Sequence, residues 1–264
     1  MKKILVTGAG GGMGMAITKR LTDEGYFVYA VDCRDFEAPE NTEKIICDLR
    51  NGDSVKEAFN TVCSGCDELE AIIHTAGIYD LDSLVEMSEE KFKRIFDINL
   101  FGLYRVNKEF LPLLKAGSKI VITSSELAPL DPLPFTGIYA ITKAAVEKYA
   151  YSLRMEMNLL DISVSVIRPG ATKTPLLGDS TSALDKFIAN TKIYKTNSVR
   201  FKKIVDSVEA KNVDPKVIAD TAYRIITAKK PRYVYNINRN PLLLLLNALP
   251  QRLQNFIIKL ILKV

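Results

Sequence analysis

A single histidine, His74, stands in 264 residues. With so few imidazoles, a metal centre has little to draw on. Cys63-Ser64-Gly65-Cys66 has CxxC spacing, but no second CxxC and no nearby histidine completes a zinc site. No metal is expected. Four cysteines are too few for a disulfide scaffold and suit a reduced, cytoplasmic protein. The start lacks a signal-peptide pattern, because two lysines run directly into a strand. Internal repeats, low-complexity tracts and composition breaks are also missing. The apolar run at 242–246 is interrupted by Asn247 and Pro250, far short of the roughly 20 residues that a bilayer span needs. Acidic residues stop at Asp220, and from residue 183 onward 16 Lys and Arg face 5 Asp and Glu. The rest of the chain is acidic, so the net charge is only +5. The basic residues are not interleaved with aromatics, and no nucleic-acid partner is expected.

What is present is alternation of strand and helix. Short apolar runs at 2–7, 26–31, 43–47, 69–74, 118–124 and 162–168 read as strands. Helical patterns fall at 15–24, 54–62, 88–114, 138–160 and 215–228, with a last strand at 232–237. Repeated βα units predict an α/β fold, a doubly wound parallel sheet of Rossmann type in one domain spanning 1–240. Residues 171–215 are polar and poorly periodic, and read as an insertion covering the substrate at the carboxyl edge of the sheet. Residues 241–264 form a separate tail.

Strand, glycine cluster and helix follow each other at once: Thr7, then Gly8, Gly10, Gly11, Gly12, Met13 and Gly14. That order makes a phosphate corner, where glycines permit close backbone approach and the helix start supplies free N–H groups. The second strand ends in Asp32, about 20 residues on, where a carboxylate meets the adenosine ribose. Further along, Ser124 and Ser125 end a strand, and Tyr139 and Lys143 share a helix face at i and i+4. An ammonium beside a tyrosine favours the phenolate, so Lys143 is expected to lower the Tyr139 pKa and make it a usable acid–base group.

In this order the motifs resemble the short-chain dehydrogenase/reductase family, from residue 3 to about 174, and in particular its retinol and hydroxysteroid dehydrogenase-like members. Thr7-Gly8-x-x-x-Gly12-x-Gly14 resembles the family's cofactor turn, and Asp48-Leu49 its adenine contact. His74-Thr75-Ala76-Gly77 resembles Asn-Asn-Ala-Gly with both asparagines replaced, giving His74 a structural or cofactor-edge role. Asn99 matches the helix asparagine, and Pro169-Gly170-Ala171-Thr172-Lys173-Thr174 the nicotinamide segment. Strict family counting from Tyr139 lands on Glu126. Ser125 is preferred, with one extra residue in the proline-bearing loop 127–137, and Ser124 is the alternative.

The resemblance implies that Tyr139 exchanges a proton with the substrate oxygen, Ser125 binds that oxygen, and Lys143 grips the nicotinamide ribose. Asn99 holds a relay water, and Thr174 orients the carboxamide. The expected activity interconverts a secondary alcohol and a ketone, with NAD(H) favoured over NADP(H) through Asp32. Reduction of 3-oxoacyl thioesters and non-catalytic redox sensing are the alternatives. A dimer or tetramer is expected through the helices at 88–114 and 138–160, the second carrying Ala144, Ala145, Val146, Tyr149, Ala150 and Leu153. From Leu249 the tail is helical with one apolar face and basic residues on the other, which suits either an anionic membrane surface or packing on the protein itself. Either arrangement sets an apolar wall near the site and favours a bulky lipophilic substrate such as a steroid or retinoid.

Overall fold

The computed structural model describes residues 1–263, with residues 175–181 and 209 described by backbone alone. The strands are β1 (Lys3–Thr7), β2 (Phe27–Asp32), β3 (Thr42–Ile46), β4 (Ala71–His74), β5 (Lys119–Thr123), β6 (Ser163–Pro169) and β7 (Val234–Ile237). They form one parallel sheet in the order β3-β2-β1-β4-β5-β6-β7. The order reverses between β1 and β4, and the strand ends there open a crevice at the carboxyl edge. Every residue of β4 and β5 is buried, as expected of strands covered on both faces.

Helices α1 (Gly12–Asp23), α2 (Gly52–Gly65), α3 (Glu89–Phe96), α4 (Gly102–Phe110), α5 (Gly137–Met157) and α8 (Pro215–Thr227) cover the sheet. Alternation along the strands sends side chains to opposite faces. Leu5, Ile72, Ile120 and Val164 pack with α2, α4 and α5 on one face. Ile4, Val6, Ile73 and Val121 pack with α1 and α8 on the other.

Three expectations change. The helix expected over 88–114 is broken by a π turn at Asp97–Phe101 and tightens into a 3₁₀ turn at Leu111–Leu113. Residues 171–215 are not irregular, because α6 (Pro175–Asn190) and α7 (Lys195–Glu209) lie within them. Neither helix has a side-chain N-cap, and their apolar residues pack away from the main cores. Leu184, Phe187, Phe201 and Val205 instead form a third cluster with Leu81, Phe135 and Leu262. The tail forms two helices, α9 (Pro241–Asn247) and α10 (Gln251–Lys263). Its apolar residues do not share one face. Ile258 and Leu262 turn inward to the third cluster, while Leu253, Phe256 and Leu260 remain exposed. Gln254 is buried, donating to the Leu249 carbonyl at 2.8 Å and to Asp131 at 3.2 Å. No helix among the described residues is long and apolar enough to cross a membrane.

Candidate active site

The glycine turn between β1 and α1 is shaped by backbone crowding. Gly8 has φ +71°, and a Cβ there would lie 2.6 Å from the Ala76 nitrogen. A Cβ on Gly14 would lie 2.0 Å from the Gly8 carbonyl oxygen. Gly11 caps α1 without a side chain, so the N–H groups of Gly12, Met13 and Gly14 at the helix start have no capping acceptor. A glycine cradle with donors at a helix start fits a pyrophosphate.

Asp32, buried at the end of β2, braces this turn. One carboxylate oxygen accepts from the Gly10 N–H at 3.0 Å and the other from the Arg34 N–H at 3.1 Å. Asp48 is held by Arg50 through contacts of 2.6 to 3.0 Å, which keep its carboxyl below the usual range. Leu49 is buried against Gly102, and its carbonyl accepts from Arg105 at 3.0 Å.

After β4, the chain turns through Thr75, Ala76 and Gly77 towards α5. The residues in place of the Asn-Asn pair tie the end of β4 to β1 and to α4. Thr75 Oγ1 donates to the Thr7 carbonyl at 2.7 Å. His74 Nε2 pairs with Asn107 Oδ1 at 3.0 Å in a buried contact, and burial pushes the imidazole down to about 4. Asn99 lies in the π turn, which aims its amide at Ile78: its Oδ1 accepts from Ile78 N–H at 2.8 Å. Its Nδ2 donates to the Ile78 carbonyl at 3.0 Å and to Thr142 Oγ1 at 3.1 Å. The side chain thus ties 77–78 to α5.

Ser125, Tyr139 and Lys143 come together at one cleft, lined also by Met13, Gly77 and Gly170. Ser125 lies close enough to the Tyr139 phenol to pull its pKa downward. Ser124, by contrast, is buried with its hydroxyl unpaired. Lys143 Nζ donates to the Thr123 carbonyl at 3.1 Å and lies 5.7 Å from the Tyr139 ring centroid. The expected lowering of the tyrosine pKa is not found. Burial pushes the phenol up to about 12, against the opposing pull of Ser125, and the Glu126 carboxylate adds to the rise. Lys143 is itself pushed down to about 8 by burial, partly offset by Glu147. At that distance and with that desolvation, the ammonium does not overcome the cost of burying a phenolate.

Pro169 and Gly170 end β6 against the β7 edge. Gly170 N–H donates to the Ile237 carbonyl at 2.8 Å, and a Cβ on Gly170 would meet the Asn238 carbonyl at 2.0 Å. Thr172 Oγ1 donates to the Gly170 carbonyl at 3.0 Å, and Thr174 lines the cleft where α6 begins.

Two lining features escape a reading by motif. Tyr79 packs edge-on against Tyr139 with centroids 4.5 Å apart. Leu243 reaches the cleft from the tail, more than 100 residues after Tyr139. A third, Glu126, has a visible signal in the sequence, an acidic residue placed directly after a strand-ending serine pair.

The sequence profile described as short chain dehydrogenase matches residues 2–185. The chain is 25% identical over 231 residues to 3-ketodihydrosphingosine reductase of Bacteroides thetaiotaomicron, covering 87% of this chain and 85% of that protein. It is 32% identical over 190 residues to the 3-oxoacyl-[acyl-carrier-protein] reductase MabA of Mycobacterium bovis, covering 71% and 74%. In fold it is similar to a short chain dehydrogenase family protein from Francisella tularensis, with a TM-score of 0.76, 21% identity, and coverage of 90% and 98%. Those relatives are oxidoreductases, and the fold they share binds NAD(P)(H). The chain belongs to the short-chain dehydrogenase family.

Proposed function

We propose that this enzyme interconverts a secondary alcohol and a ketone on a bulky lipophilic substrate, such as a steroid, a retinoid or a lipid of similar bulk, and prefers NAD(H). One observation carries the reading: the cleft that holds Ser125 and Tyr139 is walled by Leu133, Phe201, Ile204, Val205 and Leu243. A polar reacting corner facing an apolar wall suits a molecule with one oxygen and much hydrocarbon.

The turn from Gly8 to Gly14 and Asp32 would hold the dinucleotide, with Pro169, Gly170, Thr172 and Thr174 around the nicotinamide. When bound, that ring supplies the hydride. The chain's own part is proton transfer and positioning. Tyr139 gives its proton to the substrate oxygen in reduction and takes it back in oxidation. Ser125 holds that oxygen. Lys143 lies behind them, its ammonium available to a ribose hydroxyl, and Asn99 keeps α5 and the Gly77 turn in register.

Asp32 supports the cofactor preference, since a buried carboxylate beside the turn accepts a ribose hydroxyl and repels a 2′-phosphate. The test is the initial rate of reduction of lipophilic ketones with NADH and with NADPH. The expected kcat/KM is higher with NADH, and Asp32→Ala narrows the gap. Equal efficiency with NADPH contradicts the preference. Reduction of 3-oxoacyl thioesters is the second reading, favoured by the likeness to MabA. It predicts NADPH use and turnover of acyl thioesters in the same screen.

The outward face of α9 and α10 supports contact with a membrane that holds such substrates. Leu242, Leu245, Phe256 and Leu260 are exposed there, and the same segment carries Arg252, Lys259 and Lys263 with no acidic residue after Asp220.

A further inference from the structure

We propose that Glu126 selects a substrate carrying a cationic amine close to its reacting carbonyl, on a long apolar chain. This rests on the ketone and alcohol reading above and narrows its substrate class.

Glu126 follows Ser125 directly and lines the same cleft as Tyr139. It is buried, with 6% of its surface exposed. Its Oε2 accepts from the Asn240 N–H at 2.7 Å, which ties the serine loop to the start of α9. Its Oε1 has no hydrogen-bond partner among the described residues. That oxygen lies beside Gly170, 2.9 Å from where a Cβ would stand, and so close to the segment expected around the nicotinamide. The carboxylate also acts on Tyr139, raising its phenol. It therefore stands near the point where the carbonyl oxygen must bind.

The neighbouring cations do not neutralise it. Arg239 attracts it through space but is exposed and forms no ion pair with it among the described residues. Lys143 is anchored to the Thr123 carbonyl, and its charge is not among those that act on Glu126. Leu127, Leu133, Phe201, Ile204, Val205 and Leu243 give the same cleft an apolar wall. A carboxylate in such surroundings bears a desolvation cost, visible as an upward shift of its own pKa. A ligand ammonium would relieve that cost with a charge-assisted hydrogen bond, which a hydroxyl or a hydrocarbon cannot match. The amine takes no part in the redox step and leaves with the product unchanged.

The test compares two ketones of equal chain length, 2-aminododecan-3-one as its ammonium salt and dodecan-3-one, at pH 7 with NADH. The wild-type enzyme should favour the amine in kcat/KM by about tenfold or more, mainly through KM. Glu126→Gln keeps an acceptor for the Asn240 N–H while removing the charge, and should bring the ratio close to one. The neutral ketone is the internal reference for any general effect of the substitution. Calorimetric titration of the NAD⁺-loaded protein with dodecylamine and with dodecan-1-ol gives a second readout. The amine should bind more tightly to wild type, and the difference should vanish in Glu126→Gln. Equal handling of the two ketones by wild type, or a preference that survives in Glu126→Gln, overturns the inference. If neither ketone is turned over, the lipophilic-ketone reading fails, and the two titrations still decide the role of Glu126.

Discussion

Glu147 and Arg168 meet through two parallel contacts of 2.8 Å each, joining α5 to β6. Both side chains are largely buried. Tyr139, Lys143 and Glu147 stand four residues apart, so they follow one another along one face of α5. The pair therefore fixes the rotation of the helix that carries the proposed acid–base group, and its carboxylate supports the charge on Lys143.

Glu147→Gln should cost roughly 2–4 kcal/mol of stability, because it leaves a largely buried guanidinium without its partner. It should also change the pH profile. Lys143 stands at about 8, with Glu147 holding it up against burial. Removing that carboxylate lowers the Lys143 pKa further, so Lys143 loses its charge at lower pH. If turnover needs the ammonium, the alkaline limb of kcat/KM moves to lower pH. A stability loss with an unmoved limb would mean that the pair serves packing alone.

Association follows from the outer face of α5. Val146 and Ala150 are buried in the core, and Tyr149 and Leu153 pack against it. The outward apolar residues are Ile141, Tyr151 and Met155, exposed by 40 to 59%. Phe101 and Tyr104 are exposed on the adjoining π turn and α4. A protein with this much aromatic and aliphatic surface on neighbouring helices should form at least a dimer. Light scattering should give a dimeric or tetrameric mass, and Tyr151→Glu with Met155→Glu should reduce it to the monomer. A monomeric wild type contradicts the expectation.

The tail has two sides with separate consequences. Its inner side holds Leu262 in the third cluster and Leu243 at the cleft. Its outer side exposes Phe256 and Leu260 by 62% and 56%. The full chain should float with vesicles of anionic phospholipid at low salt and less so at high salt. Phe256→Asp with Leu260→Asp should remove flotation while leaving the melting temperature nearly unchanged. Flotation that survives both substitutions would place the lipid contact elsewhere, and a wild type that never floats would leave the tail a purely structural element.

Much of this architecture was legible along the chain where one local rule decides it. Gly8 and Gly14 announce a turn that no side chain can enter, and Tyr139 with Lys143 announce a shared helix face. The π turn was not legible, because Asp97–Phe101 carries an ordinary helical pattern and its purpose is set by a distant partner, the Ile78 backbone. The lobe helices were hidden for a related reason. Phe201 and Val205 of α7 each serve both the third cluster and the cleft, which blurs any single apolar stripe. Electrostatics were the least legible. The i,i+4 spacing of Tyr139 and Lys143 implies mutual influence, yet burial dominates both, pushing the phenol up to about 12 and the amine down to about 8.

Tyr139 is the group proposed to transfer the proton. Tyr139→Phe removes only the phenolic oxygen and keeps the ring that packs against Tyr79. The decisive measurement is single-turnover oxidation of bound NADH by a lipophilic ketone in this variant, with NADH binding followed separately by fluorescence. NADH affinity should stay within about twofold of wild type and the rate should fall by about 100-fold or more, the scale of lost general acid catalysis. A variant that binds NADH normally and reduces the ketone at close to the wild-type rate contradicts that role.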